Sequence, residues 1–183
     1  MSGLETRYRL PAGSAWGEVD SPVGPLALVA SPAGLLRLAF GPLASITDDF
    51  APPGPGPLPL AEHEIGARIA RELEEYFAGE RAQFTVPVDW SLTSGAQRAI
   101  LSTLYGKVPF GDTVGYGDLA LLSGRSLGAS RLVGTVMGSN PVAIVVPCHR
   151  VIAADGGIGG FGGGLEAKRT LLTLEGSLQP TLF

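Results

Sequence analysis

Asn140-Pro141-Val142-Ala143-Ile144-Val145-Val146-Pro147-Cys148-His149-Arg150-Val151 holds the only cysteine of the 183-residue chain, with one of its two histidines directly after it. Val142 to Val146, apolar and mostly β-branched, reads as a short, fully buried strand. Pro147 cannot donate to a ladder, so the strand is expected to end there and to carry the Cys148 thiol onto a turn. A lone cysteine is commonly no more than a small core hydrophobe. A nucleophile needs surroundings that generate the thiolate. The rest of the chain has to decide between these two readings.

Hydrophobic residues make up 45% of the chain and charged residues 16%, a globular balance. The length suits one domain or two small ones with a proper core. A single cysteine excludes a disulfide framework within the chain and suits a reducing, cytoplasmic setting. Cys148, His63 and His149 show no ligand-like spacing, so no metal site is expected. There is no apolar run of about 18 residues to span a membrane. Met1–Pro11 lacks the charged region and apolar stretch of a signal peptide. The net charge of −4 is unevenly spread: residues 1–90 carry 6 basic and 12 acidic side chains, and residues 91–183 carry 7 and 5. The resulting −6 and +2 permit a polyanionic partner on the half that holds Cys148.

Pattern divides the chain at the same place, near Asp89-Trp90-Ser91, into an N-terminal domain over 1–90 and a C-terminal domain over 91–183. Residues 1–15 show no periodicity and are expected to be a loose tail. Gly17–Asp20, Pro25–Ala30 and Gly34–Phe40 read as three short strands separated by Ser21-Pro22-Val23-Gly24 and Ser31-Pro32-Ala33-Gly34, most simply an antiparallel meander. Residues 51–59 are too proline-rich for a helix or interior strand and should form an extended connector. From Leu60 to Phe77, Ile65, Ile69, Leu73 and Phe77 recur at helical spacing, with Tyr76 on an adjacent face. His63, near that helix start, reads as a solvated surface residue. Phe84–Val88 adds a short extended piece. Nothing in this half looks catalytic, and a scaffolding role is expected.

In the C-terminal half, Thr93 or Ser94 can cap a helix from about Gly95 to Gly106 that buries Ile100, Leu101, Leu104 and Tyr105. Gly117–Leu122 and about Leu127–Met137 read as two short helices joined through Ser123-Gly124, a helix-turn-helix pattern that any helical hairpin would also match. Val151 onward is a strand end and turn. Gly159-Gly160-Phe161-Gly162-Gly163-Gly164 is neither a P-loop nor a dinucleotide-binding loop, so no cofactor is expected. Its backbone N–H groups can approach a ligand closely, or it is a flexible linker. Glu166 to Glu175 forms a helix with Leu171, Leu172 and Leu174 inward. Glu175 sits in the last turn, where the helix dipole disfavours a carboxylate, so it has a cationic partner or lies on the surface.

Pro147-Cys148-His149-Arg150, with Ser139-Asn140-Pro141 before it and Gly163-Gly164-Leu165, Lys168, Leu171-Leu172 and Glu175-Gly176 after it, closely resembles the O6-alkylguanine-DNA alkyltransferases. The resemblance is specific over about residues 93–176. It implies an α+β fold: a small antiparallel-sheet domain with a helix, then a mostly helical domain carrying the helix-turn-helix and the cysteine. It implies DNA repair without a cofactor: a monomer binds double-stranded DNA in the minor groove through the helix-turn-helix and flips an alkylated guanine out of the stack. The alkyl group then passes irreversibly to the protein, one per molecule, from guanine O6 or, as a further option, thymine O4. By position, Cys148 would be the acceptor. His149 would deprotonate it through a water, and Glu175 would orient the imidazole and be stabilised by the imidazolium. Asn140 would brace the turn. Tyr116 would protonate the leaving guanine and rotate its phosphate. Arg131 would fill the gap in the stack, with Ser130 and Gly134 also on the DNA-binding helix. Val151, Phe161, Gly162 and Gly163 would line the base pocket; the carbonyls of Cys148 and Val151 would accept from the guanine amino group, and a backbone N–H near Gly162 would face O6.

The chain departs from the family pattern in places. Phe161-Gly162 stands where Tyr-Ser is frequent, Leu132 where alanine is usual, and Ser130 where alanine is common. The helix from Gly95 lacks the usual Phe and Trp pattern, and the zinc site of some eukaryotic members is absent. Two other readings compete. Alkyltransferase-like proteins flag the lesion without repair but lack the acceptor cysteine, and a Cys-His hydrolase would need a distant base, for which only His63 is spare.

Overall fold

The computed structural model describes residues 7–52 and 54–179. The expected meander is present as β2 (Ala15–Val19), β3 (Leu26–Ser31) and β4 (Gly34–Phe40). β3 is buried at every position, so both of its faces find partners. Leu26 and Leu28 join the main core with Leu35 and Leu38 of β4, whereas Ala27 and Val29 join Leu36 and Phe50 in a smaller core on the opposite face. This is the two-residue alternation of a strand, with each fully buried leucine contributing about 1.5–3 kcal/mol.

Around the meander the structure corrects three expectations. The segment 1–15 is not a loose tail from Tyr8 onward: β1 (Tyr8–Arg9) pairs in parallel with β5 (Phe50–Ala51), and Leu10 is buried in the smaller core. Burial ties this end down; residues 1–6 lie outside the described residues. In the proline-rich 51–59 stretch, expected to be extended, Gly54 and Pro55 form a turn, and the last two residues, β6 (Leu58–Pro59), add to β2 as a parallel outer strand. An edge position tolerates the missing donor of Pro59. His63 is no plain surface residue, because its Nδ1 accepts from Gly66 N at 3.2 Å and caps α1 (Glu64–Phe77). α1 lays Ile69, Leu73 and Tyr76 on the sheet side of the main core.

The outer edge of β4 is where the two halves meet. Val88 bridges Leu35, and Val142 bridges Leu38, both in parallel. Leu38 N donates to the Pro141 carbonyl at 2.9 Å, and Ala143 N donates to the Leu38 carbonyl at 3.1 Å. A Cβ on Gly34 would come within 2.5 Å of the Pro87 carbonyl oxygen, so a glycine lets the joint lie against β4. Buried Asp89 accepts from Ser31 Oγ and Ser91 N, pinning the segment between the halves.

The C-terminal half comprises α2 (Gly95–Lys107), α3 (Tyr116–Leu122), α4 (Ser130–Gly138) and α5 (Leu165–Leu174). A small parallel pair joins β7 (Val114–Gly115) to β8 (Val151–Ile152). α3 and α4 pack together as the helix pair foreseen from the sequence. α2 buries Ile100, Leu101 and Leu104, but Tyr105 is 40% exposed and meets the Trp90 ring edge-on instead. One continuous core serves both halves: Leu28, Leu73, Leu104, Val136 and Leu171 belong to the same buried cluster.

The largest correction concerns Val142–Val146, which is not a strand. Beyond the single bridge at Val142 the chain turns inside the core. Val145 N donates to the Ala143 carbonyl at 2.8 Å across Ile144, whose φ is 68°. This is a γ-turn of the rare kind, held at a β-branched residue that resists positive φ, a conformation costing about 1–3 kcal/mol. Surrounding burial maintains it: residues 141–150 are all buried.

Candidate active site

Cys148 is presented by a second tight turn. Its N–H donates to the Val146 carbonyl at 2.8 Å across Pro147, which has φ −84° and ψ 65°, and Cys148–Arg150 form a single 3-10 turn. Asn140 staples the two ends of the loop: its Nδ2 donates to the Val146 carbonyl at 2.8 Å and its Oδ1 accepts from Val142 N at 3.0 Å. These bonds satisfy backbone groups that a strand ladder would otherwise have paired. Burial raises the Cys148 thiol above its ordinary pKa, with the Asn140 amide and the Lys168 ammonium pulling the other way. At neutral pH it rests as a thiol and needs a base at the moment of reaction.

That base sits directly beneath. His149 and Glu175 are both buried, and His149 Nε2 lies 2.8 Å from Glu175 Oε1. Arg150 clasps the same carboxylate, Nε to Oε2 at 2.8 Å and NH2 to Oε1 at 3.0 Å, while its NH1 donates to the Val108 carbonyl. Tyr76, from α1, donates its hydroxyl to Oε1 at 2.7 Å. Burial works against the Glu175 carboxylate, but the bonds from His149 and Arg150 and their charges outweigh it and hold its pKa at about 2. A carboxylate only accepts, so His149 carries its proton on Nε2 and keeps a lone pair on Nδ1. Nδ1 is buried with no partner among the described residues. Desolvation lowers the His149 pKa against the opposing pull of Glu175, so the ring is neutral at rest. Besides the His149 ring, Glu175 has a permanent cation in Arg150.

Above the thiol the surface opens into two cavities that both reach Cys148. One, of about 280 Å³, is lined by Tyr116, Gly134, Met137, Gly160, Phe161 and Gly162. The other, of about 200 Å³, extends toward β4 and is lined by Arg37, Phe40, Asn140, Ala143, Phe161 and Gly162 among others. Tyr116 begins α3 half-buried, and the space over Gly134 is bounded by its ring at 3.9 Å. Ser130 starts α4, with Arg131 and Leu132 exposed next to it. Gly163 lies flat on the Phe40 ring, where a Cβ would come within 2.8 Å. The Phe40 and Phe161 rings meet edge-on at 5.3 Å. The loop 159–164 is thus anchored on β4 rather than free. Val151 is buried, and its carbonyl accepts from Lys168 Nζ at 2.6 Å, whereas the Cys148 carbonyl accepts from Val151 N.

Of the twelve site residues expected from the sequence, the structure gathers Cys148, His149, Glu175, Asn140, Tyr116, Gly134, Phe161 and Gly162 around one centre. Ser130 and Arg131 lie on the outer helix instead. Three contributors were not assigned a role from the sequence: Arg150, Lys168 and Tyr76. Arg150 and Lys168 stand inside the quoted motifs, so their positions were visible. Tyr76 lies 99 residues from Glu175, and a helical face alone does not report a polar partner. Among the described residues no group of three or more His, Cys, Asp or Glu could hold a metal ion. Nor, among them, is any helix long and apolar enough to cross a membrane.

Comparison with known proteins agrees with this geometry. Residues 96–177 match the family model for the 6-O-methylguanine DNA methyltransferase DNA-binding domain, and residues 15–90 match that for the ribonuclease-like domain of the same proteins. A methylated-DNA–protein-cysteine methyltransferase of Mycobacterium leprae is 40% identical over 157 residues, covering 86% of this chain and 89% of that protein. A DNA base-flipping protein of Thermus thermophilus is 39% identical over 162 residues, covering 87% and 99%. The structure of Mycobacterium tuberculosis OGT in complex with DNA superimposes with a TM-score of 0.71 at 37% identity, over 89% of this chain and 93% of that one. The chain belongs to the 6-O-methylguanine DNA methyltransferase family.

Proposed function

We propose that this protein repairs DNA by moving an alkyl group from guanine O6 irreversibly onto Cys148, one group per molecule, after the base is flipped out of the duplex. The observation that carries this reading is the buried assembly under the thiol. A neutral His149 with a free Nδ1 lone pair is locked in one tautomer by a carboxylate that Arg150 and Tyr76 keep ionised and in place. His149 takes the thiol proton through an intervening water, and the thiolate attacks the alkyl carbon. The C–O6 bond breaks, and Tyr116 hands a proton to the departing guanine. Glu175 compensates the imidazolium while it forms, against the opposing charge of Arg150, which holds the carboxylate in place.

The cavity bounded by Tyr116 and Gly134 is the pocket for the flipped base. The backbone near Gly162 faces O6, and the carbonyls of Cys148 and Val151 face the amino group. The Val151 carbonyl keeps one lone pair for this beside Lys168. α4 enters the minor groove, with Ser130 and Gly134 against the backbone and Arg131 filling the gap in the stack. The +2 balance of residues 91–183 supports an anionic partner there. The division into domains 1–90 and 91–183 is supported by the gap between the two family matches, at residues 91–95. We place the protein in the cytoplasm as a monomer; its single cysteine suits a reducing compartment.

Incubation with a duplex carrying radiolabelled methyl on guanine O6 tests the reading. The label is expected on Cys148, with at most one equivalent per protein. Cys148→Ala is expected to abolish transfer while retaining binding to the damaged duplex; loss of both would make the cysteine structural. Tight binding without transfer by the unaltered protein would favour a lesion-flagging role.

A further inference from the structure

The cavity proposed for the flipped base has one wall that is not rigid by itself. Phe161 and Gly162 line that cavity and also the second one, toward β4, so the segment is a partition with open space on both sides. It belongs to a run with five glycines in residues 159–164, and glycine leaves a backbone more freedom than any other residue. A turn closed by Gly164 N on the Phe161 carbonyl at 3.0 Å shapes the segment locally. Such a turn does not fix where the segment stands over Cys148.

Two groups from outside the run do fix it. Lys168, anchored on the Val151 carbonyl, holds its Nζ 5.9 Å from the centre of the Phe161 ring, within cation–π range. From the N-terminal half, Phe40 at the end of β4 meets the Phe161 ring edge-on at 5.3 Å. Gly163 closes onto the same Phe40 ring: the three atoms nearest to a Cβ built there are ring carbons of Phe40, at 2.8 to 2.9 Å. The φ of Gly163 is not positive, so the ring and not the backbone is what excludes a side chain at this position.

We propose that Phe40 is a positioning residue for alkyl transfer: its ring, supplied by the N-terminal half, sets where the Phe161–Gly162 wall of the base pocket stands relative to Cys148. The inference rests on the alkyl-transfer reading above and on the base pocket assigned there. Phe40 acts through Phe161 and Gly163, and no step of the chemistry passes through it. A misplaced wall leaves binding through α4 intact but lowers the share of bound lesions held in line with the sulfur. The loss therefore belongs to the transfer rate at saturation and not to affinity for the duplex.

Single-turnover transfer from a duplex bearing O6-methylguanine, followed to saturating protein, separates the two quantities. Phe40→Ala is expected to lower the saturating rate about tenfold, the upper end of what an edge-on aromatic pair contributes, with half-saturation moved by less than about twofold. Phe40→Tyr keeps the ring and should retain most of the rate. Reaction of Cys148 with iodoacetamide, which needs the thiolate but no base pocket, should not slow in Phe40→Ala. A double-mutant cycle reads the contact itself. Gly163→Ala should slow transfer because its methyl group meets the ring, and adding it to Phe40→Ala should cost nothing further. An unaltered protein that transfers no methyl group would sink the alkyl-transfer reading and this inference with it. With methyl transfer present, an unchanged saturating rate in Phe40→Ala, equal slowing toward iodoacetamide, or independent effects of the two substitutions would overturn the inference alone. Should Phe40→Ala fail to fold, Gly163→Ala decides: transfer at the unaltered rate would overturn the positioning role.

Discussion

The two sides of Cys148 are built by opposite rules. Below it, Glu175 receives hydrogen bonds from His149, Arg150 and Tyr76, and all four side chains are buried. Above it, the surface consists of glycines, a half-buried tyrosine and a helix whose Arg131 and Leu132 stand in solvent. The underside can hold a fixed protonation pattern because its side chains are buried and every charge has a partner. The upper side can admit a base because little fills it. On the proposed function, proton transfer and lesion recognition fall on opposite sides of a single residue, and substitutions on the two sides should fail differently.

The largest effect is expected from Glu175→Ala, which leaves the Arg150 guanidinium buried without its partner. Breaking a buried pair in this way costs about 3–5 kcal/mol, readable as a lower urea midpoint, and transfer should be lost with it. The pH dependence has a definite sign. A pKa held at about 2 instead of 4.5 stabilises the fold fully above pH 4.5, and the contribution is lost as pH falls toward 2. At about 1.4 kcal/mol per unit this amounts to about 3 kcal/mol. The stability gap between the wild type and Glu175→Ala should therefore narrow below pH 4.5. A gap that stays constant in acid would mean that Glu175 is not the ionised centre of the underside.

Tyr76→Phe asks whether the N-terminal half is only a scaffold. The variant keeps the ring among Phe77, Phe84 and Phe110 but removes one donor to Glu175. Stability should fall by about 1–2 kcal/mol. Single-turnover transfer to Cys148 should also slow, for duplex and single-stranded substrate alike. Lost stability with an unchanged rate would return α1 to a purely structural role.

The contrast between the two sides also explains what could be read from the chain. The meander of residues 15–40 was legible because short, mostly apolar runs are separated by Ser-Pro turns, and Gly34–Phe40 appears with both boundaries as read. Val142–Val146 was misread because an apolar, β-branched run looks the same whether its backbone bonds go to a neighbouring strand or fold back within a turn. Only Asn140, two residues upstream, hinted that side-chain bonds would replace a ladder. Glu175 was read as needing a cation or the surface. The cation proved to be Arg150, a residue quoted for its motif and not for its charge. Tyr76 was out of reach, since the fold had to bring α1 and the end of α5 together before the contact existed.

On the open side, effects should be confined to recognition. Arg131→Ala removes an exposed side chain and should leave stability within about 0.5 kcal/mol. Repair of duplex should slow more than repair of single-stranded substrate, because only a duplex has a stack to fill. Equal slowing on both would contradict the gap-filling role and leave Arg131 as a general phosphate contact, recognisable by a shallower salt dependence.

The smallest expected effect, at Gly162→Ser, is the sharpest check on how the upper side works. No atom lies within 4 Å of the position its Cβ would take, so the serine fits without displacing anything and stability should again stay within about 0.5 kcal/mol. If the lesion is held through the main-chain N–H near this position, that group survives the change and the transfer rate should move by less than about threefold, under 0.7 kcal/mol of barrier. A rise of about tenfold would instead show that a hydroxyl contributes a second donor to the departing guanine oxygen. The open side would then share in the chemistry as well as the recognition, and the division at Cys148 would be less complete than the buried underside suggests.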